Sequence, residues 1–300
     1  MELTKIHWPE SVWFFDIDDT LSDTSDVSSS ATEGIRKVFS VHFDEQVGLM
    51  MKNQVNEYYD LMLQGCRVKK ENDWLKIKGG REAFESLFKE VSSRQESIKK
   101  IYGVPKKWSR ELFVKLAADK FNIRVTPELI NEAVDAYWIE LSKITQSFAD
   151  AVELIKTIKS HKRPICLMTS SDARLKMQPD GQFIYNPEYS EALKRERIEL
   201  LRDKGIDFDL LSIGDPEDKP HKDFFEKGVN KLSGELGFAI DISKAIIVGD
   251  QYSMDLQTPK EQLGFGLAIL VNRKTPHLEI IDEHQVNTDN LSLIADFLLD

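Results

Sequence analysis

The sequence predicts an α/β fold, a doubly wound parallel sheet of Rossmann-like type with an inserted all-helical domain. Three observations predict it. Short apolar runs of strand length recur along the chain, amphipathic stretches of helical period separate the later runs, and more than a hundred residues between the first run and the second read as helix throughout.

The runs are Val12 to Phe15, Ile165 to Met168, Phe208 to Ile213, Ala245 to Val248 and Leu267 to Val271. They are continuous rather than alternating, as strands buried on both faces of a parallel sheet require. In such sheets ligands gather at the carboxyl ends of the strands.

The first gap holds ATEGIRKVFSVHF, EQVGLMMKNQVNEYYDLML, REAFESLFKEVSSRQESIKKIYG and SRELFVKLAADKF, each with apolar residues at helical spacing. TPELINEAVDAYWIEL completes it, with Thr126 as N-cap and Pro127 at the first helical position. The polar stretches Ser22 to Ser30 and Ser142 to Ser147 are the edges of this insert. The expected division is residues 1–21 and 147–300 for the sheet domain and 22–146 for a helical cap. After the second run, residues 176–192 (KMQPDGQFIYNPEYSEA) carry two prolines and an Asp180-Gly181 pair between segments able to form a short hairpin, either a surface excursion or a flap beside the site.

Composition bounds the partners. A formal net charge of -11 argues against a nucleic-acid-coating surface, because phosphate backbones select for cationic excess. The expected partner is a small phosphorylated metabolite rather than a nucleic acid polymer or a membrane; oligomeric state is not legible. Two cysteines far apart, Cys66 and Cys166, suggest neither a disulfide framework nor a thiolate zinc site. With no basic start followed by a long apolar run, the chain is read as soluble, unprocessed and cytoplasmic.

The polar residues of interest fall at the strand ends. DIDDT follows the first run, with Asp16, Asp18, Asp19 and Thr20. Thr169 and Ser170 close the second, Lys219 follows the third, and Gly249, Asp250 and Asp255 follow the fourth. Carboxylates about 4 Å apart repel by roughly 4 kcal/mol per pair at an effective dielectric of about 20, so three aspartates within four positions call for a cation. Taken singly, an Asp after a strand is usually an N-cap or a turn residue. Lys222 competes with Lys219 for the ammonium role and Ser170 with Thr169 for the hydroxyl. Asp172 and Arg174 read either as a solvated pair or as substrate contacts.

FFDIDDT, LMTS, DKPHKDFF and IIVGDQYSMD resemble, in order, the four motifs of the haloacid dehalogenase (HAD) superfamily, and the helical insert is similar in position to its C1 cap. The resemblance implies an enzyme of the phosphatase branch, a phosphoric monoester hydrolase acting through an aspartyl-phosphate. Asp16 would be the nucleophile, Asp18 the general acid and base, Thr169 a hydrogen-bond donor to the phosphoryl group, and Lys219 the balancing charge. Mg²⁺ would be held by the Asp16 carboxylate, the Asp18 carbonyl and Asp250. Thr20, Ser170, Gly249 and Asp255 would support the site, with Thr20 fixing the turn and Gly249 letting the backbone approach the ion. A phosphomutase and a catalytically silent binding protein are the alternatives. FFDIDDTLSDTS is similar to the opening of a pyrimidine nucleotidase branch, which points to a nucleoside monophosphate.

Overall fold

A computed structural model describes residues 8–71, 74–77, 79–102, 108–215, 217–273 and 278–297. In chain order, β1 (Val12–Phe15) is followed by α1 (Thr24–Val27), α2 (Glu33–His42), α3 (Glu45–Glu71), α4 (Gly80–Arg94), α5 (Glu96–Tyr102), α6 (Arg110–Lys120) and α7 (Pro127–Ile144). Then come α8 (Ala149–Ser160), β2 (Ile165–Ser170), β3 (Leu175–Met177), β4 (Phe183–Tyr185), α9 (Pro187–Glu199), β5 (Leu210–Gly214) and α10 (Lys222–Leu236). The chain closes with β6 (Ala245–Gly249), β7 (Leu267–Val271), β8 (Leu278–Asp282) and β9 (Gln285–Thr288). Among the described residues no helix is long and apolar enough to cross a membrane.

The described residues form two compact units. One comprises residues up to Asp26, Thr145–Ser171 and residues from Glu191 onward; the other comprises Val27–Ile144 and Asp172–Ser190. The first is built on a seven-stranded sheet of order β5-β2-β1-β6-β7-β9-β8, parallel except for β8, which runs antiparallel to β9. Its apolar runs are continuous because successive residues serve opposite faces. Trp13 and Phe15 pack with Leu154, Ile155 and Ile158 of α8, whereas Phe14, Cys166 and Met168 pack with Phe224 and Phe225 of α10. Strand order reverses at β1, with β2 on one side and β6 on the other, so the loops leaving β1 and β6 open onto the topological switch point.

The hairpin β8–β9 was not expected. Its register shifts between Ile280 and Asp282, the side chains of β8 are at most half-buried, and its turn, Glu283-His284, is not one of the residue pairs that mark tight hairpins. Helix α9 was likewise not expected, since its first residues lie in the stretch 176–192 read as a possible hairpin. There Pro187 opens the helix as a first-turn residue and the Asn186 carboxamide accepts from Tyr189 N at 3.0 Å.

The second unit is helical, and α7 begins as its sequence requires, Thr126 Oγ1 accepting from Leu129 N at 3.3 Å. Residues 176–192 do form the hairpin β3–β4 up to Tyr185, turning at Gly181 with φ +84°. It is no surface excursion. Leu175, Met177 and Phe183 are buried in the same cluster as Phe113, Ile130 and Tyr137, and Ser97 Oγ donates to the Phe183 carbonyl at 2.9 Å. Segment 172–190 therefore belongs with the helices, although the expected division placed it with the sheet. Nor is Arg174 a solvated partner of Asp172: it is buried and pairs with buried Glu111 and with Asp135, the latter at 2.7 Å.

Helices α2 and α7 approach closely at Gly34, where a Cβ would lie 2.2 Å from the Ala136 carbonyl oxygen. Backbone cannot yield as a side-chain tip can, so Gly34→Ala is expected to force the pair apart and cost about 1–3 kcal/mol, read as a lower midpoint in denaturant unfolding. A midpoint equal to that of the unmodified protein would show that the two helices can separate freely.

Candidate active site

All the residues that follow lie in the sheet-bearing unit. After β1 the chain makes a tight turn in which the N–H groups of Thr20, Leu21 and Ser22 converge on the Ile17 carbonyl at 3.3, 2.9 and 3.2 Å. Asp19 sits in it at φ +64°, a left-handed conformation that Asp tolerates better than most residues. Its carboxylate accepts from Ser25 N at 2.8 Å and from the Ser25 hydroxyl. The Asp19 carboxylate is thereby held by Ser25, and its charge still contributes to raising the pKa of Asp250. Asp16 N donates to the Val248 carbonyl at 2.9 Å, tying the end of β1 to β6.

Asp16 is buried, 8 % exposed, and both its carboxylate oxygens are engaged. Lys219 Nζ donates to Oδ1, and Thr20 Oγ1 donates to Oδ2 at 3.0 Å. The Thr20 hydroxyl thus serves the carboxylate, where the sequence suggested a role in the turn; its carbonyl accepts from Arg273 Nη2 at 2.9 Å. Lys219 is 3 % exposed and also donates to Asp255 Oδ1 at 2.8 Å. Lys222 pairs instead with Glu226 on the exposed side of α10 at 2.9 Å, which separates the two lysines.

Asp255 arrives on the π-helical turn Tyr252–Leu256 and accepts from Gln251 N at 3.0 Å through Oδ2. Gly249 makes room for it: a Cβ there would stand 2.4 Å from the Cβ of Asp255. Passage of the Asp255 side chain is a constraint the structure places on Gly249. Thr169 and Ser170 end β2, both buried, with Thr169 Oγ1 donating to the Ser170 carbonyl at 3.4 Å.

One carboxylate oxygen from each of Asp16, Asp250 and Asp255 lies within 4.8 Å of the others. Burial lifts Asp16 to about 6 against the pull of Lys219, with the charges of Asp255 and Asp18 adding to the rise. Burial, followed by the charges of Asp16 and Asp255, lifts Asp250 to about 8. Burial disfavours the Lys219 ammonium, but Asp16 and Asp255 outweigh it and hold the pKa above the ordinary value. One ammonium against three carboxylates leaves uncompensated negative charge, and an all-oxygen anionic donor set suits a hard divalent cation such as Mg²⁺. Asp16 and Asp255 each have both oxygens hydrogen-bonded, so an ion held here would share carboxylates that already serve Lys219.

Lys194 escaped the sequence reading. It is 1 % exposed, and its Nζ contacts Asp18 Oδ2 at 3.4 Å. Within the charged stretch EALKRERIE nothing distinguishes it from its exposed neighbours.

A family model described as haloacid dehalogenase-like hydrolase matches residues 11–261. No curated protein matches the chain. Among solved structures, YfnB from Bacillus subtilis, crystallised with magnesium bound, aligns over 96% of this chain and 98% of its own at 15% identity and a TM-score of 0.51. A defluorinating L-2-haloacid dehalogenase aligns over 99% of each chain at 11% identity and the same TM-score. At these identities the likeness concerns the fold, and the chemistry must be argued from the site.

Both raised aspartates keep protons in the folded protein that the unfolded chain has already released. With metal removed, the site's contribution to stability therefore falls as pH rises from about 4 through about 6 for Asp16 and through about 8 for Asp250. Magnesium competes with those protons, so the rise in Tm on adding it should be larger at pH 8.5 than at pH 6, and Asp250→Asn should remove most of the difference. Equal rises at the two pH values, unchanged by the substitution, would contradict this.

Proposed function

The chain belongs to the haloacid dehalogenase-like hydrolases, and we propose that it is a Mg²⁺-dependent phosphatase that hydrolyses a small phosphate monoester through an aspartyl-phosphate on Asp16. The observation that carries this reading is the pairing of two unlike carboxyls two residues apart. Asp16 is buried and bonded to Lys219 and Thr20; the Asp18 side chain is 34% exposed. A halide leaves carbon without a proton, whereas an ester oxygen needs one, and a second carboxyl beside the nucleophile answers that need.

In the first step an Asp16 carboxylate oxygen bonds to phosphorus while the phosphorus–ester oxygen bond breaks. The electron pair stays on the departing oxygen, which takes the Asp18 proton. In the second step Asp18 takes a proton from water as the water oxygen bonds to phosphorus, and the bond from phosphorus to Asp16 breaks. Lys219 offsets negative charge on Asp16 and the phosphoryl group, and Thr169, at the end of the adjacent strand β2, donates a hydrogen bond to a phosphoryl oxygen. Asp16, Asp250 and the Asp18 carbonyl would hold Mg²⁺, which supplies charge neutralisation and in-line orientation of the phosphoryl group. Ser170 and Asp255 support these groups, Asp255 by fixing Lys219. The finer reading is a nucleoside monophosphate as substrate, which rests on the resemblance of FFDIDDTLSDTS alone.

Phosphate release from nucleoside monophosphates, sugar phosphates and p-nitrophenyl phosphate is expected with Mg²⁺, to stop with chelator, and to fall to background in Asp16→Asn. Asp18→Asn should lose about 10²–10⁴ in kcat on alkyl esters. Phosphoryl transfer to a second phosphorylated sugar without phosphate release would establish a mutase instead. Absence of turnover on every compound would leave the silent binding protein.

A further inference from the structure

Burying an ammonium costs several kcal/mol unless it is paired, and for stability alone an apolar side chain of similar volume serves as well or better. Lys194 nevertheless occupies a position 1 % exposed. Its Nζ contacts Asp18 Oδ2 at 3.4 Å, on a side chain that is 34% exposed overall but whose other oxygen, Oδ1, is buried. The pairing ties the Asp18 carboxylate to a buried ammonium. Asp18 lies on the loop after β1, and its carboxylate oxygen Oδ2 meets the Lys194 ammonium. Lys194 is anchored by α9, a rigid element, so the ammonium stands at a defined place.

We infer that Lys194 is a positioning residue that holds the Asp18 carboxyl in reach of the departing ester oxygen. The inference rests on the phosphatase reading above. In the step served, the bond from Asp16 to phosphorus forms, the phosphorus–oxygen ester bond breaks, and the proton passes from Asp18 to the departing oxygen. Lys194 exchanges no proton in it. Its effect should accordingly scale with how much the leaving group needs that proton, which a purely structural role would not do.

The experiment compares the unmodified protein with Lys194→Met and Lys194→Arg on two esters with Mg²⁺: p-nitrophenyl phosphate, whose phenolate departs readily without a proton, and a simple alkyl phosphate, whose alkoxide does not. Lys194→Met is expected to lose about 100-fold or more in kcat on the alkyl ester. Its loss on the aryl ester should be at least tenfold smaller, and Lys194→Arg should recover most of the alkyl activity. Activity on the aryl ester also reports that the variant is folded; should Lys194→Met show none, Lys194→Gln replaces it in the same comparison. Equal losses on the two esters, or no loss on the alkyl ester, would overturn the inference and leave the phosphatase reading standing. No turnover of either ester by the unmodified protein would overturn both.

Discussion

The interaction on which the site depends is the buried Lys219 ammonium held between Asp16 and Asp255. Each of these groups alone would be prohibitively placed. An uncompensated carboxylate or ammonium out of water costs several kcal/mol, so the three are tolerable only as a set. The set spans the chain: Asp16 leaves β1, Lys219 lies between β5 and α10, and Asp255 follows β6. Side chains that distant in sequence can share hydrogen bonds only because β5, β2, β1 and β6 are consecutive neighbours in a parallel sheet, which brings their carboxyl ends to one edge.

That dependence explains details that look unrelated. Gly249 lacks a Cβ so that Asp255 can pass, and Asp255 in turn fixes the lysine. Asp19 adopts a left-handed conformation in the turn after β1 and is held there by Ser25. Phe14 and Phe15, buried on opposite faces of the sheet, clamp the strand that ends at Asp16. Rigidity of β1 thus becomes precision at the carboxylate.

Sequence pattern conveyed the five apolar runs, the helical insert and the residues at the strand ends, because each rests on local signals: run length, period and chemistry adjacent in the chain. What it did not convey depends on distant partners. Lys194 looks like any lysine of a charged helix until the fold places it beside Asp18. Arg174 looks solvated until Glu111 and Asp135, far earlier in the chain, receive it. The hairpin β3–β4 showed its turn in sequence but not its allegiance, since Leu175, Met177 and Phe183 have the composition of any half-buried pair of strands. Hairpin β8–β9 gave no turn signal at all, and its half-exposed strand lacks the apolar density that marked the others.

The charges themselves argue that the site is used. A chain selected for stability alone would gain by replacing Asp250, whose carboxyl burial drives up to about 8, or Lys194, whose buried position suits an apolar side chain. Asp16, Asp18, Asp250 and Asp255 repel one another, and retaining all four with two buried ammoniums makes physical sense when their mutual strain is relieved by a ligand: a divalent cation and the phosphoryl group it orients. A binding protein that had abandoned catalysis would have no physical need of so many charges gathered at the strand ends.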